Sequence, residues 1–498
     1  MSDGFLKDIV KYLPAQVVPG IVGLVSIPIV TRIFPPAEYG HYNLVMATVM
    51  VLSTVFGWLP TSISRYYPAY TRGRQQLEVF KTTVTGVGLA ALIVLLVLYY
   101  AILLVLRTWL SRTLWLLLMI GGLLFGATCA FNLFQSILRS RRFVGRYSAF
   151  AVWQSVAGFA LGIALILLLG FRVEGLLLGA TLSIVAILPL LWRQAMDAGV
   201  RIRFGRADLK MAKTMFLYGL PLMVGNLAAW VLSLSDRYVL GLLRGTSEVG
   251  LYSLSYNIAD KSIMLLAALF LMAEPAIGVR IWENQGERDS QRFVAGVTRL
   301  YLLLGIPAAV GLSVVSRLVV SLLGGAEYAE GYRIVPFVLF GVLLLGLQQR
   351  FHWGLLYHQK TGAITVALVL AGLLKVCLNV LFVPRYGYVA AAATTLVCYA
   401  VLLCLIIWFS RRLFVWRFPY RSLFKVVVAS AVMGVVVYYV EHVLTFSPVL
   451  RLLACISVGA LVYAAALLAL REFSSQEVGA IRQAISRTFT GLQAGRAA

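Results

Sequence analysis

The 498 residues are 61% hydrophobic and 12% charged, with a mean hydropathy of +0.90, a balance that excludes an ordinary soluble globular chain. A net charge of +24 would suggest a nucleic-acid partner in a soluble protein. Here the basic residues flank apolar runs, where anionic lipid headgroups attract them, so membrane lipids are expected as partners and nucleic acid is not.

Fourteen apolar runs follow one another, at about 12–33, 41–60, 82–105, 113–137, 147–169, 174–192, 214–235, 249–272, 298–316, 333–349, 362–383, 387–409, 423–440 and 450–470. Each is close to the roughly 20 residues a helix needs to cross hydrocarbon. With the N-terminus in the cytoplasm, the cytoplasmic segments hold 31 of the 43 Lys and Arg, and the opposite loops hold ten. Only Lys261 and Lys375 fall inside spans. This bias predicts a multi-pass protein with both termini cytoplasmic. The N-terminus shows no cleavable signal, so the first span is expected to be retained.

The hairpin after span one runs from Arg32 through Glu38-Tyr-Gly40-His-Tyr42-Asn-Leu44. The hairpin after span seven runs from Arg237 through Glu248-Val-Gly250-Leu-Tyr252-Ser-Leu254. Both carry Glu-x-Gly-x-Tyr-x-Leu, six spans apart. A fainter echo pairs Gly145 with Gly362 and Ala180-Thr-Leu182 with Thr394-Thr-Leu396. An even number of spans per unit predicts two parallel repeats related by an axis along the membrane normal. The expected organisation is a six-helix lobe over 1–194, a basic cytoplasmic linker over 195–213 and a second six-helix lobe over 214–410. Two additional spans over 411–470 and a cytoplasmic amphipathic tail over 471–498 complete it.

No Gly-x-x-x-x-Gly-Lys-Ser/Thr segment is present and the loops are short, which argues against ATP coupling and against a catalytic domain. The four histidines show neither triad nor metal spacing, and the five cysteines, all within spans, form no metal or disulfide pattern. No enzymatic activity, metal or cofactor is expected. Charges inside spans are costly and are the functional candidates. Lys261 in span eight, beside Asn257, reads as a cavity cation for an anionic headgroup, and Asp260 as a group that tunes it or couples a proton or sodium gradient. The competing reading for this pair is a salt bridge within one lobe. Lys375 reads either as cavity lining or as a lysine paired within its lobe, and Arg65 either as an inner-mouth cation or as an ordinary positive-inside anchor. Arg32, Asp236 and Arg237 cap equivalent span ends and suggest an outer gate or a structural lock. Glu38 and Glu248 open spans two and eight, where the helix dipole favours an acid.

The segment Val30-Thr-Arg-Ile-Phe-Pro-Pro-Ala-Glu-Tyr-Gly-His-Tyr42 resembles the first hairpin of the polysaccharide transporters, the Wzx-like oligosaccharide flippases of the MATE-like MOP superfamily. The stretch from Leu234-Ser-Asp-Arg-Tyr to Glu248-Val-Gly-Leu-Tyr-Ser-Leu-Ser-Tyr256 resembles that family's most recognisable segment. The resemblance implies an all-α membrane protein with two six-helix lobes in a V and a central cationic cavity lined by spans one, two, seven and eight. It implies alternating access that flips undecaprenyl-pyrophosphate-linked oligosaccharide across a bacterial inner membrane, alongside glycosyltransferases and a polymerase. On that basis Arg65 and Lys261, and less directly Lys375, are carried over as headgroup contacts. The alternative within the same fold is a cation-coupled multidrug or small-molecule antiporter, for which Asp260 would be the coupling carboxylate.

Overall fold

The computed structural model describes residues 3–71, 73–196, 205, 207–271 and 274–473. Residues 197–204 and 206 of the 195–213 linker, and the amphipathic helix expected in the 471–498 tail, lie outside the described residues. Among the described residues the regular structure is helical. The helices are α1 (Asp3–Ile33), α2 (Pro36–Phe56), α3 (Trp58–Tyr70), α4 (Arg74–Val105), α5 (Arg112–Ser140), α6 (Val144–Leu169), α7 (Val173–Ala195) and α8 (Leu209–Leu243). They continue with α9 (Thr246–Leu271), α10 (Glu274–Gln285), α11 (Glu287–Val314), α12 (Ser316–Gly324), α13 (Val335–Tyr357), α14 (Thr361–Ser410), α15 (Tyr420–Val443) and α16 (Pro448–Ala469). Local chemistry sets several starts. Pro36 and Pro448 occupy first-turn positions that need no N–H donor, and the Asp208 carboxylate accepts from the N–H groups of Lys210 and Met211 to cap α8.

Twelve segments among the described residues are long and apolar enough to span a membrane. One is the 50-residue α14, whose helical backbone breaks at Gly387 (φ 59°, ψ −144°), where span twelve is expected to begin. The expected eighth span, α9, is 26 residues long and is not among the twelve; it carries Asn257, Asp260 and Lys261. Along α4 the side chains of Ile93, Val94, Val97, Leu98 and Ile102 are all exposed. Such a face suits acyl chains and would be an aggregation surface in water.

The contacts group residues 1–279 and 320–415 into one unit and 280–319 and 416–498 into another. In the second unit α11, expected to belong to the second six-helix lobe, instead packs on α15 and α16. Glu472 gives a reason: its carboxylate receives Arg299 of α11 at 2.8 Å and Ser422 of α15 at 2.5 Å, with Lys425 at 3.5 Å.

In the first unit α1 to α7 form one set of packed helices, while α8, α9, α13 and α14 form another. The sets meet where α2 crosses α9 and α8, and where α3 lies on α8. The repeated glycines explain the first crossing. A Cβ on Gly40 would stand 1.9 Å from the Thr246 carbonyl oxygen, and one on Gly250 would stand 1.9 Å from that of Pro36. Each repeat therefore presents its glycine to the start of the other's helix, and only a hydrogen side chain permits that approach. The repeated acids act alongside. Glu38 pairs with Arg172, between α6 and α7. Glu248 pairs with Arg244 at 2.8 Å and accepts from the Tyr388 N–H at 3.0 Å, beside the Gly387 break in α14. In each half the acid ties the hairpin to the turn joining the fifth and sixth spans of its repeat.

Candidate functional site

A cavity of about 290 Å³ lies in the first unit, next to the glycine crossing. Four helices supply most of its wall: α1 (Gly23, Ser26), α2 (Tyr39, Tyr42, Asn43), α8 (Arg237) and α9 (Asn257, Lys261). These are spans one, two, seven and eight. One set of helices supplies α1 and α2 and the other supplies both cations from α8 and α9, so the cavity is closed only while the two sets are together.

Lys261 is half-buried and donates from Nζ to the Gly23 carbonyl at 2.9 Å, reaching from α9 across to α1. Asn257, one turn earlier, donates to the Tyr39 hydroxyl at 3.3 Å. The Asn43 amide donates to the Tyr39 carbonyl at 2.7 Å. Arg237 is 4% exposed, its guanidinium 5.2 Å from the Tyr256 ring centroid and 6.0 Å from that of Tyr252. An arginine stacked on aromatic faces keeps its forked N–H groups in a fixed direction, which suits recognition of a phosphate-like anion. No carboxylate is among the described lining residues. Asp260 is half-buried beside Lys261, within electrostatic reach of both cavity cations, and is not part of the wall.

Lys375 is elsewhere. It is fully buried in α14, 2.7 Å from the Asp236 carboxylate, and also donates to the Leu232 carbonyl at 2.5 Å. Asp236 is fully buried too and accepts from Tyr252 Oη and Asn379 Nδ2, each at 2.6 Å, and from Thr395 Oγ1 at 3.3 Å. The pair satisfies itself between α8 and α14, so the expectation that Lys375 lines the cavity is corrected to the lobe-internal pairing weighed beside it. Asp236 takes the structural side of its two expected roles. Its neighbour Arg237, expected with it at the gate, points into the cavity, because successive helical residues project about 100° apart. Arg65 is exposed on α3 and Arg32 is exposed at the end of α1; neither is in the cavity wall. Tyr39, Tyr42 and Asn43 were not singled out from sequence. The signal was available, since they lie inside or beside the repeated Glu-x-Gly-x-Tyr motif.

A sequence profile described as "Polysaccharide biosynthesis protein" matches residues 5–278, more than half of the chain, and one described as "MatE" matches residues 221–381. The chain is 22% identical over 259 residues to the "Probable low-salt glycan biosynthesis flippase Agl15" of Haloferax volcanii, covering 52% of this chain and 54% of that protein. It is 21% identical over 254 residues to the "Uncharacterized membrane protein MJ1068" of Methanocaldococcus jannaschii, covering 49% of this chain and 48% of that protein. The chain thus spans about half the length of the curated relatives it matches. Among solved structures it resembles the lipid II flippase MurJ in an inward closed conformation, with a TM-score of 0.75 at 18% identity, covering 92% of this chain and 98% of that one. It also resembles an inward-facing multidrug resistance MATE family transporter of the MOP superfamily, with a TM-score of 0.65 at 14% identity, covering 80% and 94%. At these identities the likeness is one of fold.

Proposed function

Because the chain belongs to the polysaccharide biosynthesis protein family, built on the fold of the MOP-superfamily transporters, we propose that it flips a polyprenyl-pyrophosphate-linked oligosaccharide across a membrane by alternating access. The observation that carries this reading is the placement of Arg237 and Lys261, from two helices, on one cavity with amide and phenol groups around them. A pyrophosphate is anionic and a glycan is polar, so neither enters hydrocarbon unaided. Two cations in a cavity of low dielectric attract the diphosphate strongly, while hydroxyls and amides replace water around it. The prenyl tail is chemically at home in lipid and needs no protein cavity.

Release requires the cavity to open, and the glycine crossing of α2 on α9 is the contact that must separate at that end. The charge bias puts that end outside and both termini in the cytoplasm, so the cargo enters from the cytoplasmic leaflet. In this reading the membrane is a bacterial inner membrane, the product feeds O-antigen or exopolysaccharide assembly, and glycosyltransferases and a polymerase work on either side of the step. A proton or sodium gradient drives the cycle through Asp260, beside the cavity cations. The chain itself forms and breaks no covalent bond. A drug-cation antiporter fits less well, because its cargo would meet two like charges and no carboxylate among the described lining residues.

The test is a strain lacking this chain, assayed for lipid-linked oligosaccharide in the membrane and for surface glycan. Accumulation of the intermediate on the cytoplasmic face with loss of surface glycan is expected. Unchanged intermediate and unchanged glycan would overturn the reading.

A further inference from the structure

A second polar space lies in the first unit, at the end away from the glycine crossing. It is a cleft of about 460 Å³ bounded by the end of α2, the start of α3, the last third of α5, the start of α6 and the middle of α8. Asn132 and Asn226 line it and are exposed, although both lie inside segments long and apolar enough to span. Amides facing acyl chains are costly, so their exposure marks this face as water-accessible space.

The hydrogen-bonding sense of the wall is specific. Gln135 is 5% exposed, and its Nε2 donates to the Tyr147 carbonyl at 3.2 Å. That bond fixes the amide and leaves Oε1, which has no partner among the described residues, as a buried acceptor on the cleft. Thr54, Thr61 and Ser136 each donate their hydroxyl proton to a carbonyl of the preceding turn, at 2.8, 2.9 and 2.7 Å. Their oxygens too can only accept from a ligand. The cleft is therefore rich in acceptors; among its described lining residues Arg139, which donates to Ser64 Oγ at 3.2 Å, is the one cation, and there is no carboxylate. A metal cation or a drug cation would want that missing negative charge. An ionised phosphate would meet Arg139 but has no proton to give the acceptor oxygens of Gln135, Thr54, Thr61 and Ser136. A polyhydroxylated ligand offers O–H donors throughout, and the two asparagines answer its acceptors.

We propose that this cleft is a carbohydrate subsite that engages the glycan of the lipid-linked cargo, an inference that rests on the flippase reading above. The two spaces then differ as the two ends of the substrate differ. The Arg237–Lys261 cavity supplies cationic donors for the diphosphate, and the Gln135 cleft, with Arg139 as one cation, supplies mostly neutral acceptors for sugar hydroxyls.

The experiment uses the full chain in lipid nanodiscs and two probes. One is the lipid-linked oligosaccharide extracted from a strain lacking this chain; the other is the same lipid with its glycan removed, a polyprenyl diphosphate. The wild type is expected to bind the glycosylated probe about tenfold more tightly, the scale of one or two net neutral hydrogen bonds. Gln135→Leu and Asn226→Ala should each remove most of that preference while leaving affinity for polyprenyl diphosphate unchanged. Lys261→Met should weaken both probes by the same factor and keep the preference. Asn226 is exposed, so its truncation tests the site even where Gln135→Leu fails to fold. Equal binding of the two probes by the wild type, or a preference that survives both substitutions, would overturn the subsite and leave the flippase reading standing. Failure of the wild type to bind polyprenyl diphosphate at all would overturn the flippase reading itself.

Discussion

Lys261 and Lys375 both sit in the middle of an apolar helix, each with an asparagine about one turn away, yet the fold treats them as opposites. Lys375 is sealed with Asp236 inside one set of helices, with hydroxyl and amide groups completing the carboxylate's shell. Lys261 reaches across to the other set, donates to a backbone carbonyl there, and borders a cavity. A lysine that has its own carboxylate within a lobe serves architecture. One held by a neutral carbonyl keeps most of its charge available to a ligand. What separates the two is a partner on a neighbouring helix, and not the lysine's depth in its own.

Ranked by expected loss of stability, the first way to break this comparison is Lys375→Met. It strands Asp236 as a buried charge, at a cost of about 3–5 kcal/mol. Thermal unfolding of the detergent-solubilised protein should show a large fall in Tm, and adding Asp236→Asn should recover much of it. An unchanged Tm would mean that the pair is not structural. Next comes Gly40→Ala, whose new methyl has no room against the Thr246 carbonyl and should cost about 1–3 kcal/mol as overpacking. A cysteine placed at Ser26 should then react faster with an impermeant maleimide added from outside, because the crossing that shields the cavity is forced apart. Equal labelling would show that this crossing does not seal it.

Glu472 tests the middle ground, a carboxylate at the end of a helix with several cationic partners. Burial alone would raise its pKa, but the hydrogen bonds from Ser422 and Arg299 and the charges of Arg299 and Lys425 outweigh it, holding the carboxyl below the ordinary 4.5. A depressed folded value gives stability that is present above the unfolded value and lost as pH falls through the folded one. Glu472→Gln should therefore lower Tm at pH 7, by about 1.5 kcal/mol equivalent, the low end for a charge-assisted hydrogen bond because Arg299 and Lys425 are partly exposed. The gap to wild type should close in strongly acidic buffer. A gap that is constant with pH would assign the loss to packing instead.

Much of this arrangement was legible in the chain. Apolar length gave the helices, and the repeated Glu-x-Gly-x-Tyr motif marked the two hairpins whose glycines meet. The boundary set between spans eleven and twelve anticipated the break at Gly387 inside α14. What could not be read was which polar group faces which helix. Asp236 and Arg237 are adjacent in sequence, so no span-level argument separates the one that locks α14 from the one that faces the cavity. The partnership of α11 with α15 and α16 was hidden for a similar reason. It depends on Glu472, beyond the last span, collecting Arg299 and Ser422 from helices more than a hundred residues apart in sequence. Gln135 likewise reads as one polar residue in an apolar run until Tyr147 is seen to fix its amide.

The smallest expected effect on stability is also the most informative one. Lys261→Met replaces an ammonium bound to a single carbonyl by an apolar chain of similar length. It leaves no buried carboxylate stranded in the cavity wall, so stability should fall by only about 0.5–1 kcal/mol, the low end for one net hydrogen bond. Function should respond on another scale. Losing a charge-assisted contact to a diphosphate costs about 1.5–3 kcal/mol, roughly a 10- to 100-fold drop in affinity for the cargo. Lys261→Arg should restore part of it, since charge is kept while the geometry changes. The readout is lipid-linked oligosaccharide retained at the cytoplasmic face, measured beside the amount of folded protein in the membrane. Retention with normal protein levels in Lys261→Met, against depleted protein in Lys375→Met, would separate the working lysine from the architectural one. Equal depletion of both proteins would show that Lys261 holds α1 against α9 rather than waiting for a ligand.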